Sequence, residues 1–163
     1  MREKFLLRPM RPEEFASLRE WTYLSLFVPE GCPPFPRTIL KKPQVRHYYE
    51  GFGGKAGDEA VVAEAEGKLI GAAWARILAG EPKGYGNLDG ETPELAIAVE
   101  ALYRGQGVGT GLLEALFQKL RRAGYERVSL SAQKENRALG LYHRLGFRVE
   151  VEKAEEVLMA RKL

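Results

Sequence analysis

The sequence predicts a mixed α/β fold, in which a central sheet with strands that are not all parallel is flanked by helices. Apolar runs of strand length alternate with segments of helical periodicity along the chain. The chain has 163 residues, of which 45% are hydrophobic and 29% charged, as in globular domains with a proper core. No repeat, linker or low-complexity tract divides the sequence. We therefore expect one domain that spans residues 1–163.

Seven segments are predicted to be strands because apolar or β-branched residues dominate them. They are residues 4–8, 60–65, 69–78, 94–99, 128–131, 147–151 and 157–161. Glu66-Gly67-Lys68 separates the second segment from the third and is typical of a hairpin turn. The run 94–99 is mostly apolar, which predicts a central strand that is covered on both faces.

Helical spacing of apolar residues predicts three helices. The first begins at Arg11-Pro12-Glu13-Glu14 and continues toward Phe27, since Pro and acidic residues suit a first helical turn. A long helix begins at Val108 and ends before Gly124, which suits the left-handed residue after a helix. A third covers 137–145. Pro43 is expected to interrupt a weaker helix within 37–49.

The composition narrows the class of protein. No unbroken apolar run approaches the ~18 residues of a membrane helix, and no zinc finger or RNA-binding signature is present, so we expect neither a membrane nor a nucleic-acid partner. The single Cys32 and two histidines are too few for most zinc frameworks, so no metal is expected. One cysteine also suits a reducing compartment, which predicts a cytoplasmic protein.

The chain has a net charge of +3, and its charged residues are distributed unevenly along the sequence. Residues 51–100 have four basic and nine acidic side chains, a net of −5, whereas residues 101–148 have nine basic and three acidic ones, a net of +6. Two interpretations are open. One is an anionic ligand beside the basic part and a cationic ligand beside the acidic part; the other is ordinary scatter over a charged surface.

A glycine-rich segment, Arg104-Gly105-Gln106-Gly107-Val108-Gly109-Thr110-Gly111, lies between the 94–99 strand and the long helix. Glycines allow the backbone to approach a ligand closely, and N–H groups at a helix N-terminus bind anions, phosphate above all. The Walker pattern is excluded because no Lys follows these glycines, and the dinucleotide pattern is excluded by spacing. A glycine-rich corner without a ligand is the alternative.

Two motifs, in order, resemble those of the GNAT-type N-acetyltransferase superfamily. Arg104, Gly107 and Gly109 match its Arg-x-x-Gly-x-Gly loop after a strand reading Leu-Ala-Ile-Ala-Val. The segment 137–147 is similar to its Asn-x-x-Ala-x-x-Leu-Tyr-x-x-x-Gly-Phe signature, except that Glu135 stands at the asparagine position and Asn136 follows one place late. The motifs cover about 94–151. The resemblance implies a GNAT-like acyl-CoA N-acyltransferase fold.

The resemblance also implies acetyl-CoA as cosubstrate and direct acetyl transfer to a primary amine in a ternary complex. Backbone N–H groups of the glycine loop would bind the pyrophosphate, and those of the central strand would bind the pantetheine arm. The cofactor residues so implied are Ile97, Val99, Arg104, Gly105, Gln106, Gly107, Val108, Gly109, Thr110 and Asn136. Asn136 would either cap a shifted helix or contact the cofactor.

Two catalytic residues follow from the same resemblance. Tyr142 occupies the position of the residue that protonates the leaving thiolate, and packing in the core is its alternative role. Glu94 begins the central strand, where a base for the amine is expected, and Glu100 is its rival. Trp21, Tyr23, Trp74 and Tyr85 are candidates for an acceptor pocket.

The acceptor is expected to be a small-molecule amine or a peptide or protein amine, cationic if the acidic 51–100 stretch faces it. A second copy of the chain is a further candidate partner, because the family often dimerises. A CoA-binding regulatory or protein-interaction module on the same fold, without turnover, is the alternative function.

Overall fold

The computed structural model describes residues 4–163, so the first three residues of the predicted domain range lie outside it. It contains one seven-stranded mixed sheet with the order β1-β2-β3-β4-β5-β7-β6. The strands are β1 (Leu6–Pro9), β2 (Glu59–Ala65), β3 (Lys68–Arg76), β4 (Glu94–Val99), β5 (Arg127–Gln133), β6 (Arg148–Glu152) and β7 (Glu156–Lys162). All seven predicted strands are therefore confirmed, with ends that move by at most two residues.

The α-helices are α1 (Leu18–Ser25), α2 (Pro43–Arg46), α3 (Val108–Arg122) and α4 (Leu139–Arg144). Short 3-10 helices cover Pro12–Ser17, Arg37–Lys41 and Ala101–Tyr103. The single helix predicted from Arg11 onward is thus two pieces, and it ends at Ser25 because Leu26 is already extended (ψ 126°). The helical segment within 37–49 is interrupted at Pro43 as predicted: Lys42 is extended (ψ 133°), and the proline then begins α2, since its fixed φ suits a first helical position.

Local turn geometry explains the best-predicted elements. Glu66 (φ 51°) and Gly67 (φ 77°) form the two-residue turn between β2 and β3, and left-handed residues in such turns match the twist of the strands. After α3, Gly124 is left-handed (φ 94°), and the N–H of Tyr125 reaches back to the carbonyl of Leu120 at 3.1 Å. That bond is the Schellman closure expected at such a glycine.

The two faces of the sheet carry separate apolar clusters. The buried side of α3 packs on one face, where Leu112, Leu116 and Phe117 meet Leu95 and neighbours. On the other face Leu18 and Trp21 of α1 pack with Trp74 of β3. Alternation along β4 therefore places Leu95 and Ile97 on the α3 face, and Ala96 and Ala98 on the α1 face.

Candidate active site

The two central strands separate at the middle of the sheet. β4 pairs with β3 along its whole length, from Glu94 with Arg76 to Val99 with Gly71, but the parallel pair β4–β5 meets only where Glu94 lies beside Ser129. The N–H of Glu100 donates to Ile70 on the β3 side at 2.8 Å. Because N–H groups alternate between the edges of an antiparallel strand, those of Ile97 and Val99 face the gap. The gap thus exposes two predicted cofactor residues.

A cleft of about 340 Å³ opens at this gap, at the small end of the range for sites that bind small molecules. Its lining comes from β4 and β5, from α1 and the segment that follows it, from the 79–93 loop, and from α4. Glu94, Tyr142, Ile97 and Asn136 all line it. The cleft therefore brings together both predicted catalytic residues and two of the predicted cofactor residues.

Glu94 is the buried carboxylate of the cleft, with only 3% of its surface exposed. Its Oε2 accepts a hydrogen bond of 2.5 Å from the Tyr48 hydroxyl, whereas no group in residues 4–163 is hydrogen-bonded to its buried Oε1. Burial raises the pKa of Glu94 to about 7; the Tyr48 bond and the nearby N–H of Gly86 act in the opposite direction, and the carboxylate of Glu156 adds to the rise. A carboxylate with this pKa can accept a proton near neutral pH.

Tyr48 is a site residue that the sequence did not reveal. Its hydroxyl donates to Glu94 and accepts the backbone N–H of Tyr85 at 2.9 Å, while its carbonyl accepts the indole N–H of Trp74 at 2.9 Å. Burial, together with the charge of Glu94, raises the pKa of Tyr48 well above its usual range, so the hydroxyl stays protonated and donates. The Tyr48 hydroxyl therefore fixes Oε2 of Glu94 and leaves Oε1 without a hydrogen bond.

The 79–93 loop closes tightly over the base of β4. A Cβ on Gly84 would overlap Oε1 of Glu94 and lie 2.9 Å from Cβ of Leu78, so only glycine fits there. Gly86 lies equally close to β5, where a Cβ would be 2.6 Å from the backbone N of Ser131. The hydroxyl of Ser129 donates to the carbonyl of Gly86 at 2.6 Å and fixes the loop in place.

Tyr142 lies on α4, with 7% of its surface exposed and its ring 5.9 Å from that of Phe147. Burial raises its pKa to about 12, so the hydroxyl is protonated at every ordinary pH. Across the described chain no hydrogen bond joins that hydroxyl to another residue. A buried hydroxyl that lines the cleft in this way is available to donate a proton or hydrogen bond into it.

The glycine-rich segment forms the turn into α3. Gly105 (φ 74°) and Gly107 (φ 84°) are left-handed, and Gly107 is the residue that precedes the first helical turn. The exposed Arg104 is tied to the end of β4 by a 3.0 Å bond from its Nε to the carbonyl of Val99, and Gln106 donates to Leu102 at 2.9 Å. The N–H groups of Val108, Gly109 and Thr110 then begin the helix, as an anion site requires.

The last glycine of this segment has a different use. A Cβ on Gly111 would lie 2.8 Å from Cδ1 of Leu7, so Gly111 lets α3 pack closely on β1. A Cβ on Gly109 would be 3.7 Å from the nearest atom, on Leu141, which is ordinary contact. Within this protein nothing therefore requires a glycine at position 109, which leaves room for a ligand.

Asn136 precedes α4, where the sequence predicted either a cap or a contact with the cofactor. Its Oδ1 accepts the N–H of Ala138 at 2.8 Å and its carbonyl accepts the N–H of Leu139 at 3.2 Å, so it caps the turn that leads into α4. Asn136 also lines the cleft. Because this turn takes up residues 136–138, α4 is shorter than the predicted 137–145.

The remaining candidates for a base or an acceptor pocket differ in whether they line the cleft. Glu100 is exposed beyond the end of β4 and does not line the cleft. Trp21 and Trp74 are core residues, whereas Tyr85 lines the cleft. Of the acidic 51–100 stretch, Glu94 lines the cleft. The acids of the 79–93 loop do not line it, and Asp89 pairs with Arg127 at 2.9 Å.

Residues 4–163 contain neither a membrane-spanning helix nor a cluster of metal-binding side chains. No helix there is both long enough and apolar enough to cross a membrane. No group of three or more His, Cys, Asp and Glu side chains in this range is arranged to hold a metal ion.

Solved structures share this architecture. An acetyltransferase of the GNAT family from Streptococcus pneumoniae is 20% identical over 98% of this chain and 100% of its own, with a TM-score of 0.68. The PaiA N-acetyltransferase of Thermoplasma acidophilum, solved with coenzyme A, is 17% identical over 98% and 99%, with a TM-score of 0.69. A GNAT-family acetyltransferase from Brucella melitensis, solved with acetyl-CoA, is 20% identical over 99% and 89%, with a TM-score of 0.64.

The mixed sheet and its helices thus define an acyl-CoA N-acyltransferase fold. The family model described as "Acetyltransferase (GNAT) family" matches residues 15–147, and the chain therefore belongs to the GNAT acetyltransferase family. No curated protein matches it in sequence.

Proposed function

We propose that the protein transfers the acetyl group of acetyl-CoA directly to a primary amine. The observation that carries this proposal is Glu94, a buried carboxylate with one unpaired oxygen and a pKa of about 7, in the same cleft as the protonated hydroxyl of Tyr142. A base and an acid that face one gap are the two groups that amine acetylation needs.

The residues at the gap fit a CoA thioester. The N–H groups of Ile97 and Val99 face the space between β4 and β5, where they can bond the amide groups of a pantetheine arm. The helix-start N–H groups of Val108 to Thr110 and the cation of Arg104 suit a pyrophosphate. When bound, acetyl-CoA supplies the activated acetyl thioester.

Glu94 prepares the acceptor. An alkylamine with a pKa near 10 is neutral in only about one molecule in a thousand at pH 7, and the ammonium form has no lone pair with which to attack. The Glu94 carboxylate first takes one proton from the ammonium and passes it to water, which frees the lone pair. As the nitrogen attacks the thioester carbon and the N–C bond forms, the carboxylate takes the second proton. The Tyr48 hydroxyl remains on Oε2, so the carboxylate keeps its orientation while it gains the proton.

Tyr142 acts on the leaving group. Its hydroxyl gives a proton to the thiolate sulfur as the C–S bond breaks, which leaves Tyr142 ionised and Glu94 protonated. Exchange of one proton with water then restores both residues. Because Tyr142 has a pKa of about 12, it is fully protonated at the start of each turnover.

Calorimetric titration with acetyl-CoA, together with a coupled assay of thiol release over a panel of amines, tests the proposal. We expect binding of acetyl-CoA and amine-dependent release that falls strongly in Glu94→Gln and Tyr142→Phe. Absence of binding would overturn it. Binding without release for any amine, and without response to either substitution, would instead identify a CoA-binding module.

A matched pair of glycine variants tests the cofactor loop. Gly109→Ala adds a methyl group that the protein accommodates, so we expect weaker acetyl-CoA binding at an unchanged or higher melting temperature. Gly111→Ala, in the same helix, meets only the end of the Leu7 side chain, which can shift, so we expect it to keep wild-type acetyl-CoA binding. If Gly109→Ala binds acetyl-CoA as the wild type does, the ligand does not approach the backbone at this point.

A further inference from the structure

The acceptor side of the cleft is built from α1 and the segment that follows it. Glu94 belongs to the same alternating set on β4 as Ala96 and Ala98, which face α1. The hydroxyl of Ser131 on β5 donates to Glu156 at 3.1 Å, and all these residues except Ala98 line the cleft. An acceptor therefore enters between the α1 side and the two carboxylates.

The polar residues that line this space are suited to one cationic head. Oε1 of Glu94 and Oγ1 of Thr22 are buried acceptors without a hydrogen-bond partner in the described chain. Glu156 lies close enough to raise the pKa of Glu94, and within residues 4–163 no lysine or arginine lines the cleft. Lys153 contacts Glu156 at 3.6 Å from outside it.

A group of apolar residues lines the same space. Its walls are the side chains of Leu26, Phe27, Phe35, Ile39, Val45 and Tyr85. Phe35 and Tyr85 are 38% and 48% exposed, although large apolar groups usually leave water on folding. Phe35 is positioned by the hydroxyl of Tyr23, which donates to its carbonyl at 2.5 Å, and the guanidinium of Arg37 stacks on the Tyr23 ring at 4.5 Å.

Resting on the proposed acetyl transfer, we infer that the acceptor is a small primary monoamine whose nitrogen is attached to an apolar aromatic or branched aliphatic group. The carboxylates and Thr22 bind the head, and the wall of the cleft covers the body. A second ammonium group, as in a polyamine or a lysine-bearing peptide, would lose its hydration among apolar side chains without a partner, which is strongly unfavourable.

Steady-state thiol release with the full chain and saturating acetyl-CoA tests the inference on 2-phenylethylamine, isoamylamine, putrescine, spermidine and a lysine-containing peptide. We expect kcat/KM to be about tenfold or more higher for the two apolar monoamines, because each buried apolar group adds selectivity of this order. Equal or better turnover of putrescine, spermidine or the peptide would overturn the acceptor class and leave acetyl transfer intact. If no amine is acetylated, the proposed function fails, and the acceptor class fails with it.

A matched pair of variants locates the selectivity. Phe35→Ser removes an exposed wall residue, and Val151→Ser changes an apolar residue of similar exposure, 43%, on the edge strand β6. We expect Phe35→Ser to lower kcat/KM for 2-phenylethylamine about tenfold and that for methylamine less than twofold, with an unchanged melting temperature. Val151→Ser should alter neither. Equal losses for both amines in Phe35→Ser would contradict the assignment of this wall.

Discussion

Replacement of Glu94 by glutamine separates the effect of the buried carboxylate on stability from its chemical use. The ordinary pKa of this carboxyl is 4.5, and burial raises it to about 7 in the folded chain. Between these values the folded state holds a proton that the unfolded state has released, so stability falls as pH rises. A difference of about 2.5 pKa units, at 1.36 kcal/mol for each unit, amounts to about 3 kcal/mol. This loss is absent below pH 4.5 and complete above about pH 8.

Urea unfolding at pH 5 and pH 8.5 measures the effect. Glutamine does not titrate, and part of the loss has already occurred at pH 5, so the stability of Glu94→Gln relative to the wild type should rise by about 2.5 kcal/mol between the two pH values. The exposed Glu100→Gln is the control and should show no such change. At pH 7.5, kcat/KM of Glu94→Gln should be about 10²- to 10⁴-fold lower, the usual effect of losing a general base. Parallel stability profiles for Glu94→Gln and the wild type would refute the burial argument.

Three further substitutions test neighbouring parts of the site. Tyr48→Phe removes a hydrogen bond that lowers the pKa of Glu94. A hydrogen bond to a charged group contributes about 1.5–3 kcal/mol, or one to two pKa units, so the acidic limb of the kcat/KM profile should move to higher pH by that amount. An unmoved limb would show that Tyr48 does not act on the base. Gly84→Ala pushes a methyl group into the Glu94 carboxylate and should lower activity, whereas Gly80→Ala, which meets nothing within 4 Å in the same loop, should not. Tyr142→Phe should lower kcat about 10²- to 10⁴-fold, the usual effect of losing a general acid. The free energy of unfolding should change little, since the hydroxyl has no hydrogen-bond partner in residues 4–163. Full activity in this variant would assign Tyr142 to packing alone.

Elements determined by local signals were predicted well. The apolar stripe of α3 and the left-handed Gly124 fix that helix, and the turn at Glu66-Gly67 fixes the hairpin, because these features depend on residues close in sequence. The region between residues 11 and 49 was predicted less well. There the choice between 3-10, α and extended backbone is decided by contacts with the sheet, although the break before Pro43 was predicted from the proline itself.

The candidate site shows the same division. Glu94 and Tyr142 were identified through a motif and a strand position, and the structure places both at one cleft. Tyr48 lies 46 residues from Glu94 and carries no motif, so no spacing in the sequence could relate the two. The acidic loop was misjudged for a related reason, because net charge over a segment does not show which carboxylates pair with distant cations such as Arg127.

Opposed effects on Glu94 explain why the pKa lies near 7. An exposed glutamate would be ionised at neutral pH, but with a pKa of 4.5 it would be a weak base toward an ammonium whose pKa is near 10. Burial and the charge of Glu156 raise the pKa of Glu94 and so narrow that gap. The hydrogen bond from Tyr48 and the N–H of Gly86 limit the rise. The loop that contains Gly84 and Gly86 is therefore part of the base, since it buries one oxygen of Glu94 while its Tyr85 N–H orients the hydroxyl that fixes the other.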